Sequence, residues 1–168
     1  VFIAAYPYMK RITWWPQAFL GITFNFGALM GFGAATHHLG WVPFILYVGC
    51  FFWTLGYDTI YAHQDKEDDA LIGIKSTALL FGNRSKFWVS VFYILALTLI
   101  TLASFVAGSD VISLALIILP AIHLMRQIMI WDIDDAERSL EIFKSNRNFG
   151  LLIFLSFAAT GFSHHIGF

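Results

Sequence analysis

The chain is short of charge and of cysteine, and each shortage excludes a class of protein. Only 12% of its 168 residues are Asp, Glu, Lys or Arg, roughly half the share of an ordinary soluble domain. Together with 58% hydrophobic residues and a mean hydropathy of +0.71, this excludes a water-soluble globule and marks an integral membrane protein. The single cysteine, Cys50, excludes an intrachain disulfide and any cysteine-based metal site. Inside an apolar run it reads as a small buried side chain. No low-complexity linker divides the chain. No run resembles a cleaved signal peptide, because apolar runs recur along the whole length. The net charge of −1 says nothing further about partners, and no nucleic acid is expected among them.

Basic residues are absent from one side of the pattern. Five segments are long enough to span a bilayer: Trp14–Ala35, Trp41–Tyr57, Phe87–Ala107, Val111–Ile130 and Phe149–His165. The tight connections Thr36–Gly40 and Gly108–Asp110, and the tail after His165, hold no Lys or Arg. Lys10 and Arg11 precede the first span; Lys66, Lys75, Arg84 and Lys86 lie between the second and third. Arg126 is near the end of the fourth, and Arg138, Lys144 and Arg147 follow it. The positive-inside rule makes that side cytoplasmic in a bacterial inner membrane, or matrix in a mitochondrial inner membrane. The expected fold is all-α, a polytopic membrane helix bundle forming a single domain over residues 1–168. Both long connections, Asp58–Lys86 and Trp131–Asn148, face the basic side, so function is expected there.

The most informative stretch begins where the second span ends. On one continuous helix at about 100° per residue, Asp65 and Asp69 fall roughly 20° to either side of Asp58. Tyr61 flanks that stripe, while Lys66 and Glu67 point elsewhere. Three carboxylates at a membrane boundary repel one another and are costly to desolvate, so the stripe calls for a cation. Oxygen ligands without cysteine favour a hard ion, Mg²⁺ above all, which typically completes its shell with water and substrate phosphates. The stripe therefore reads as a holder for a metal–phosphate group at a membrane surface. Gly73 ends the acidic helix. Ser76 or Thr77 then caps a short helix that stops at Gly82 and Asn83.

The spacing of Asp58, Tyr61, Ala62, Asp65 and Asp69, followed by Ile72 to Thr77, resembles the second aspartate-rich motif of the UbiA superfamily of intramembrane aromatic prenyltransferases. Two further stretches are similar to the 4-hydroxybenzoate polyprenyltransferase branch. One runs from Tyr6 through Lys10 and Arg11 to Pro16, Gln17, Leu20, Gly21, Phe26 and Gly27. The other is Phe143 to Gly150, with Asn146 and Arg147. The family's first acidic motif, N-x-x-x-D-x-x-x-D or a close relative, does not occur upstream of Asp58. The resemblance thus implies the last five helices of a nine-helix fold, and these five alone are expected to be inactive as a transferase.

It also implies a mechanism. Mg²⁺ on Asp58, Asp65 and Asp69 grips the diphosphate of a polyprenyl diphosphate, and the allylic cation is transferred to the ring of 4-hydroxybenzoate in ubiquinone biosynthesis. Tyr61 stabilises the cation through its ring face. Lys75 and Arg11 are candidate contacts for diphosphate or carboxylate. Asn25, polar at membrane depth, is a candidate pocket residue. Other acceptors remain open, such as a naphthoate, homogentisate or porphyrin. A small divalent-cation carrier is the alternative from a different class, disfavoured because its carboxylates belong near the midplane.

The remaining polar features read plainly. Asp132, Asp134 and Asp135 lack the stripe's spacing and read as a solvated cap. His37, His38, His164 and His165 read as interfacial, and His123 and Arg126 as bundle-interior or snorkelling groups. Pro120 is expected to kink the fourth span.

Overall fold

The computed structural model describes residues 8–165, with side chains described through residue 158. Tyr6 and Pro7 lie outside the described residues, as do the side chains of His164 and His165. All regular secondary structure among the described residues is helical. After a helical turn at 8–12, the helices are Pro16–Phe24, Phe26–Thr36, Trp41–Ala62, Lys66–Leu71, Thr77–Phe81, Ser85–Val106, Val111–Leu116, Ile118–Ile130 and Ala136–His165. Three stretches among the described residues, Pro16–Thr36, Thr77–Val106 and Val111–Ile130, are long and apolar enough to cross a membrane. The all-α membrane bundle read from composition is the observed fold class. Its outward faces carry apolar side chains such as Phe105, Ile112, Ile122 and Phe154, as expected of helices that meet lipid rather than water.

The Trp41–Ala62 helix is the hub. Its 22 residues exceed the 17-residue span read from sequence, and it packs against Pro16–Phe24, Ser85–Val106 and Ala136–His165. Small residues set how close these helices come. Gly49 and Gly56 are two turns apart on one face; a Cβ on Gly56 would sit 2.5 Å from Tyr93 Cε1, and one on Gly49 would sit 3.0 Å from Ile100 Cγ1. With no side chain in the way, the two backbones approach to near contact, the usual device where lipid tails remove the hydrophobic drive for helix pairing. Ile60, Val89, Tyr93, Ile100, Leu124, Trp131, Ile142 and Phe149 fill the core around this seam.

Two spans are broken, each by a local cause. The first divides at Asn25, whose Nδ2 donates to the Gly21 carbonyl at 2.7 Å. That carbonyl is the one the Asn25 backbone N–H would use in a continuous helix, so the side chain competes with the ladder. The fourth divides at Ile117, because Pro120 offers no N–H to the carbonyl four residues back and crowds it.

The connection Trp131–Asn148, expected as a cap over the bundle mouth, is a correction. Only residues 131–135 are non-helical, and Ala136–His165 is one helix of 30 residues. Asp135 Oδ1 accepts from the Arg138 N–H at 2.9 Å, an N-cap that starts the helix early. No Gly or Pro interrupts it before Gly150. The acidic cluster does behave as a solvated cap: Asp132, Asp134 and Asp135 are exposed, and Asp134 reaches Lys66 at 3.7 Å.

Candidate active site

The acidic stripe is built from two helices, which corrects the single-helix wheel. The Trp41–Ala62 helix closes with i→i+3 bonds from His63 N to Ile60 O and from Gln64 N to Tyr61 O, a tightened last turn. Asp65 then stands at the N-cap of Lys66–Leu71, whose first turn holds Glu67, Asp68 and Asp69. The cause of the break is tertiary. His63 is 4% exposed; its Nδ1 lies 2.8 Å from the Ile133 carbonyl and its Nε2 lies 2.8 Å from Ser85 Oγ. Burial pushes its pKa down to about 4, against a small opposing effect of the Ile133 bond. The ring is therefore neutral at physiological pH. A carbonyl only accepts, so Nδ1 carries the proton, while Nε2 meets a Ser85 hydroxyl that also donates to the Gly82 carbonyl at 2.7 Å. His63 thus fastens the end of the acidic helix to two later segments.

Asp58 and Asp69 are both 6% exposed, and Asp65 is half-buried. Asp58 Oδ2 is buried and makes no hydrogen bond, and Gln64 Oε1 is in the same condition. A buried carboxylate oxygen left without a donor is costly, so its retention points to a ligand rather than to stability. The positive charge that acts on both Asp58 and Asp69 is Lys10. Burial pushes the Asp69 carboxyl above the usual carboxylate range; Lys10 opposes this, and Asp65 and Asp68 add like-charge repulsion.

Lys10 is a site residue that sequence reasoning missed, treating it only as a topology marker. Its nearest signal was its place beside Arg11 in the family-like stretch from Tyr6 to Gly27. The structure brings it in through the backbone: Lys75 N donates to Lys10 O at 2.8 Å, and Ile74 N donates to Asp69 O at 2.9 Å.

The other candidates divide. Lys75 faces the N-terminal stretch, with Nζ 3.2 Å from the Ile12 carbonyl and 5.7 Å from the Trp14 ring centroid. Arg11 is exposed. Asn25 spends its amide donors on Gly21 O and on Thr54 Oγ1, at 2.7 and 2.9 Å, one helical turn before Asp58. Gln17 is buried and accepts from Thr77 N at 3.2 Å, while Thr59 and Thr77 hydroxyls meet at 2.8 Å. Ser76, rather than Thr77, caps the short helix by accepting from Leu79 N.

Tyr61 lies on the other flank, its ring 4.5 Å from Phe143. Trp53, Tyr57 and Tyr61 recur every four residues along one helix face, and Trp53 Nε1 donates to Asn146 Oδ1 at 2.9 Å. Between this aromatic row and Phe143, Asn146 and Arg147 lies a cleft of about 330 Å³. The Phe143–Gly150 stretch and the aspartate motif, far apart in sequence, are therefore neighbours.

Among the described residues, no three His, Cys, Asp or Glu side chains stand close enough to hold a metal ion by themselves. What the site offers is an orphaned carboxylate oxygen and a second buried carboxylate, with a half-buried third at the next helix start. This donor set fits Mg²⁺, which commonly takes one or two carboxylates and fills its octahedron with water and substrate phosphates.

The UbiA prenyltransferase family matches residues 1–161. The chain is 47% identical over 154 residues to the mitochondrial 4-hydroxybenzoate polyprenyltransferase of Rattus norvegicus, covering 91% of this chain and 41% of the rat protein. It is 45% identical over 156 residues to 4-hydroxybenzoate geranyltransferase 2 of Lithospermum erythrorhizon, covering 91% and 50% respectively. The human mitochondrial 4-hydroxybenzoate polyprenyltransferase is 46% identical over 154 residues, again with 91% of this chain and 42% of the relative covered. The chain thus spans half or less of the length of these relatives. No solved structure matches it. With a helical membrane bundle, the aspartate motif at the end of its central helix and a match over nearly its whole length, the chain belongs to the UbiA prenyltransferase family.

Proposed function

We propose that the protein transfers a polyprenyl group from polyprenyl diphosphate to the ring of 4-hydroxybenzoate, in a Mg²⁺-dependent reaction that serves ubiquinone biosynthesis. The observation that carries this reading is the buried, unpartnered Asp58 oxygen, set with Asp69 and Lys10 at the end of an apolar helix. Membership of the prenyltransferase family supplies the reaction class, and the relatives' names favour 4-hydroxybenzoate over a naphthoate, homogentisate or porphyrin.

In this mechanism Asp58, Asp65 and Asp69 would hold Mg²⁺, which would supply positive charge toward the diphosphate. Lys10 supplies a second positive charge on the same group, with Lys75 and Arg11 nearby for the diphosphate or the benzoate carboxylate. The allylic C–O bond breaks with its electron pair leaving on the diphosphate, the ring carbon ortho to the phenol attacks the allylic cation, and the proton on that carbon is lost to the departing diphosphate or to water, which restores the aromatic ring. Tyr61 presents its ring face to that cation. Trp53, Tyr57 and Phe143 keep water from it, and the isoprenoid tail lies among apolar helix faces open to lipid. The acidic site faces the cytoplasm of a bacterium or the matrix of a mitochondrion, following the basic residues.

The test is prenyl transfer by the full-length protein in membranes, with Asp58→Asn and Asp69→Asn. Both variants insert normally and lose transfer at least about a hundredfold, comparable to losing a transition-state charge contact. Wild-type activity depends on Mg²⁺ and vanishes on chelation. Undiminished turnover in either variant, or full activity in chelator, would overturn the assignment.

A further inference from the structure

A second polar cleft lies between the Ile118–Ile130 and Ala136–His165 helices, on the basic side of the bundle. It encloses about 210 Å³ and is lined by His123, Arg126, Gln127, Arg138, Ser145 and Asn148, with none of the aspartates of the stripe. Its floor is fixed. Gln127, 2% exposed, accepts from the Tyr93 hydroxyl at 2.9 Å and donates to Ser145 Oγ at 2.8 Å. His123 Nε2 lies 3.1 Å from the Ser145 carbonyl. Its rim is cationic. Arg126 and Arg138 are exposed, and the only acid in the lining, Glu141, takes one Arg138 nitrogen at 2.8 Å. Among the described residues Arg126 forms no ion pair. The cleft therefore carries two guanidinium groups against one carboxylate, with amide donors between them.

Its collar is apolar. Leu119 and Ile122, on the same helix face as Arg126, are 47% and 50% exposed, whereas Met125 and Met129 line a separate cleft toward Ser85–Val106. Ile130 and Ile142 reach into the cleft itself. Arg126 sits in the last turn of the apolar stretch Val111–Ile130, where a long side chain reaches the headgroup layer. Two arginine forks above exposed aliphatic side chains match a phosphate that carries acyl chains. Basic pockets between membrane helices on this face recognise such headgroups.

We propose that this cleft binds the phosphate of an anionic membrane lipid. Arg126 and Arg138 grip the phosphate oxygens, the Asn148 amide adds a donor, and the acyl chains lie along Leu119 and Ile122. A free phosphate ion shares the charge but makes no use of the apolar collar.

The test uses the full-length protein in phosphatidylcholine nanodiscs containing graded phosphatidylglycerol, with co-purifying lipid counted by native mass spectrometry. Wild-type protein retains phosphatidylglycerol in preference to phosphatidylcholine. Arg126→Gln with Arg138→Gln lowers that retention at least tenfold, and Arg126→Gln alone lowers it about fivefold, the order set by one arginine at an anionic surface. Both side chains are exposed, so the variants fold; the single change decides the matter if the double one does not. Arg84→Gln, on the same side but outside the cleft, retains lipid like wild type. Equal retention in the cleft variants, equal loss in Arg84→Gln, or displacement of the lipid by millimolar inorganic phosphate would each overturn the lipid assignment.

Discussion

Replacing Gly56 with alanine tests whether the central helix seam is held at contact distance. The new Cβ would lie 2.5 Å from Tyr93 Cε1 and 2.7 Å from Cδ1, where carbon atoms ordinarily keep about 3.5–4.0 Å. The ring must therefore retreat by about 1 Å. It has little room to do so, because Tyr93 is 3% exposed and its hydroxyl is anchored on Gln127 at 2.9 Å. Overpacking of this kind costs about 1–3 kcal/mol. Pulling the hydroxyl off Gln127 leaves a buried acceptor unsatisfied, for about 1–3 kcal/mol more. Alanine's better helix propensity returns about 1 kcal/mol. The net expectation is a loss of about 3 kcal/mol. For a chain of this size that lowers a thermal midpoint by about 6–12 °C, read by intrinsic tryptophan fluorescence of purified protein in detergent micelles. Tyr93→Leu removes the ring edge, so adding Gly56→Ala to it lowers the midpoint by much less than in the wild-type background. A midpoint for Gly56→Ala at or above wild type, or full additivity with Tyr93→Leu, would refute the close-contact reasoning.

The other expectations are shorter. His63→Leu keeps the bulk of the ring but strands the Ile133 carbonyl and leaves the Ser85 hydroxyl only its bond to Gly82; a loss of about 1–3 kcal/mol follows, with faster proteolysis at residues 131–135, and unchanged cleavage there sinks the idea that His63 fastens the segment. Asn25→Leu removes the bonds to Gly21 O and Thr54, so the first span loses its tie to the central helix by about 1–2 kcal/mol; a thermal midpoint equal to wild type's, or full additivity with Thr54→Val, tells against that tie.

Much of the architecture was legible without coordinates, because the membrane reduces the problem to one dimension. A stretch of apolar residues must be helical to satisfy its own backbone, and basic residues mark one face. Low charge and recurring apolar runs therefore determined the all-α membrane bundle, and the Asp58, Asp65 and Asp69 spacing marked the acidic motif. A cap at Ser76 or Thr77 and the break before Pro120 were legible for the same reason, since each depends on residues within a turn of one another.

What depended on distant partners was decided only by the fold. The periodic stripe assumed one helix, but His63, held by Ile133 and Ser85, ends it and hands the second half of the motif to another helix. Lys10 enters the site through a backbone bond to Lys75, 65 residues away along the chain, and no periodicity near either residue encodes that. The orphaned oxygen of Asp58 is a property of burial, which sequence spacing does not measure. The sequence by itself determined which residues carry the charge and that the fold is a helical membrane bundle, because both are set by local chemistry. The tertiary structure decided which charges face one another, because that depends on where separate helices meet.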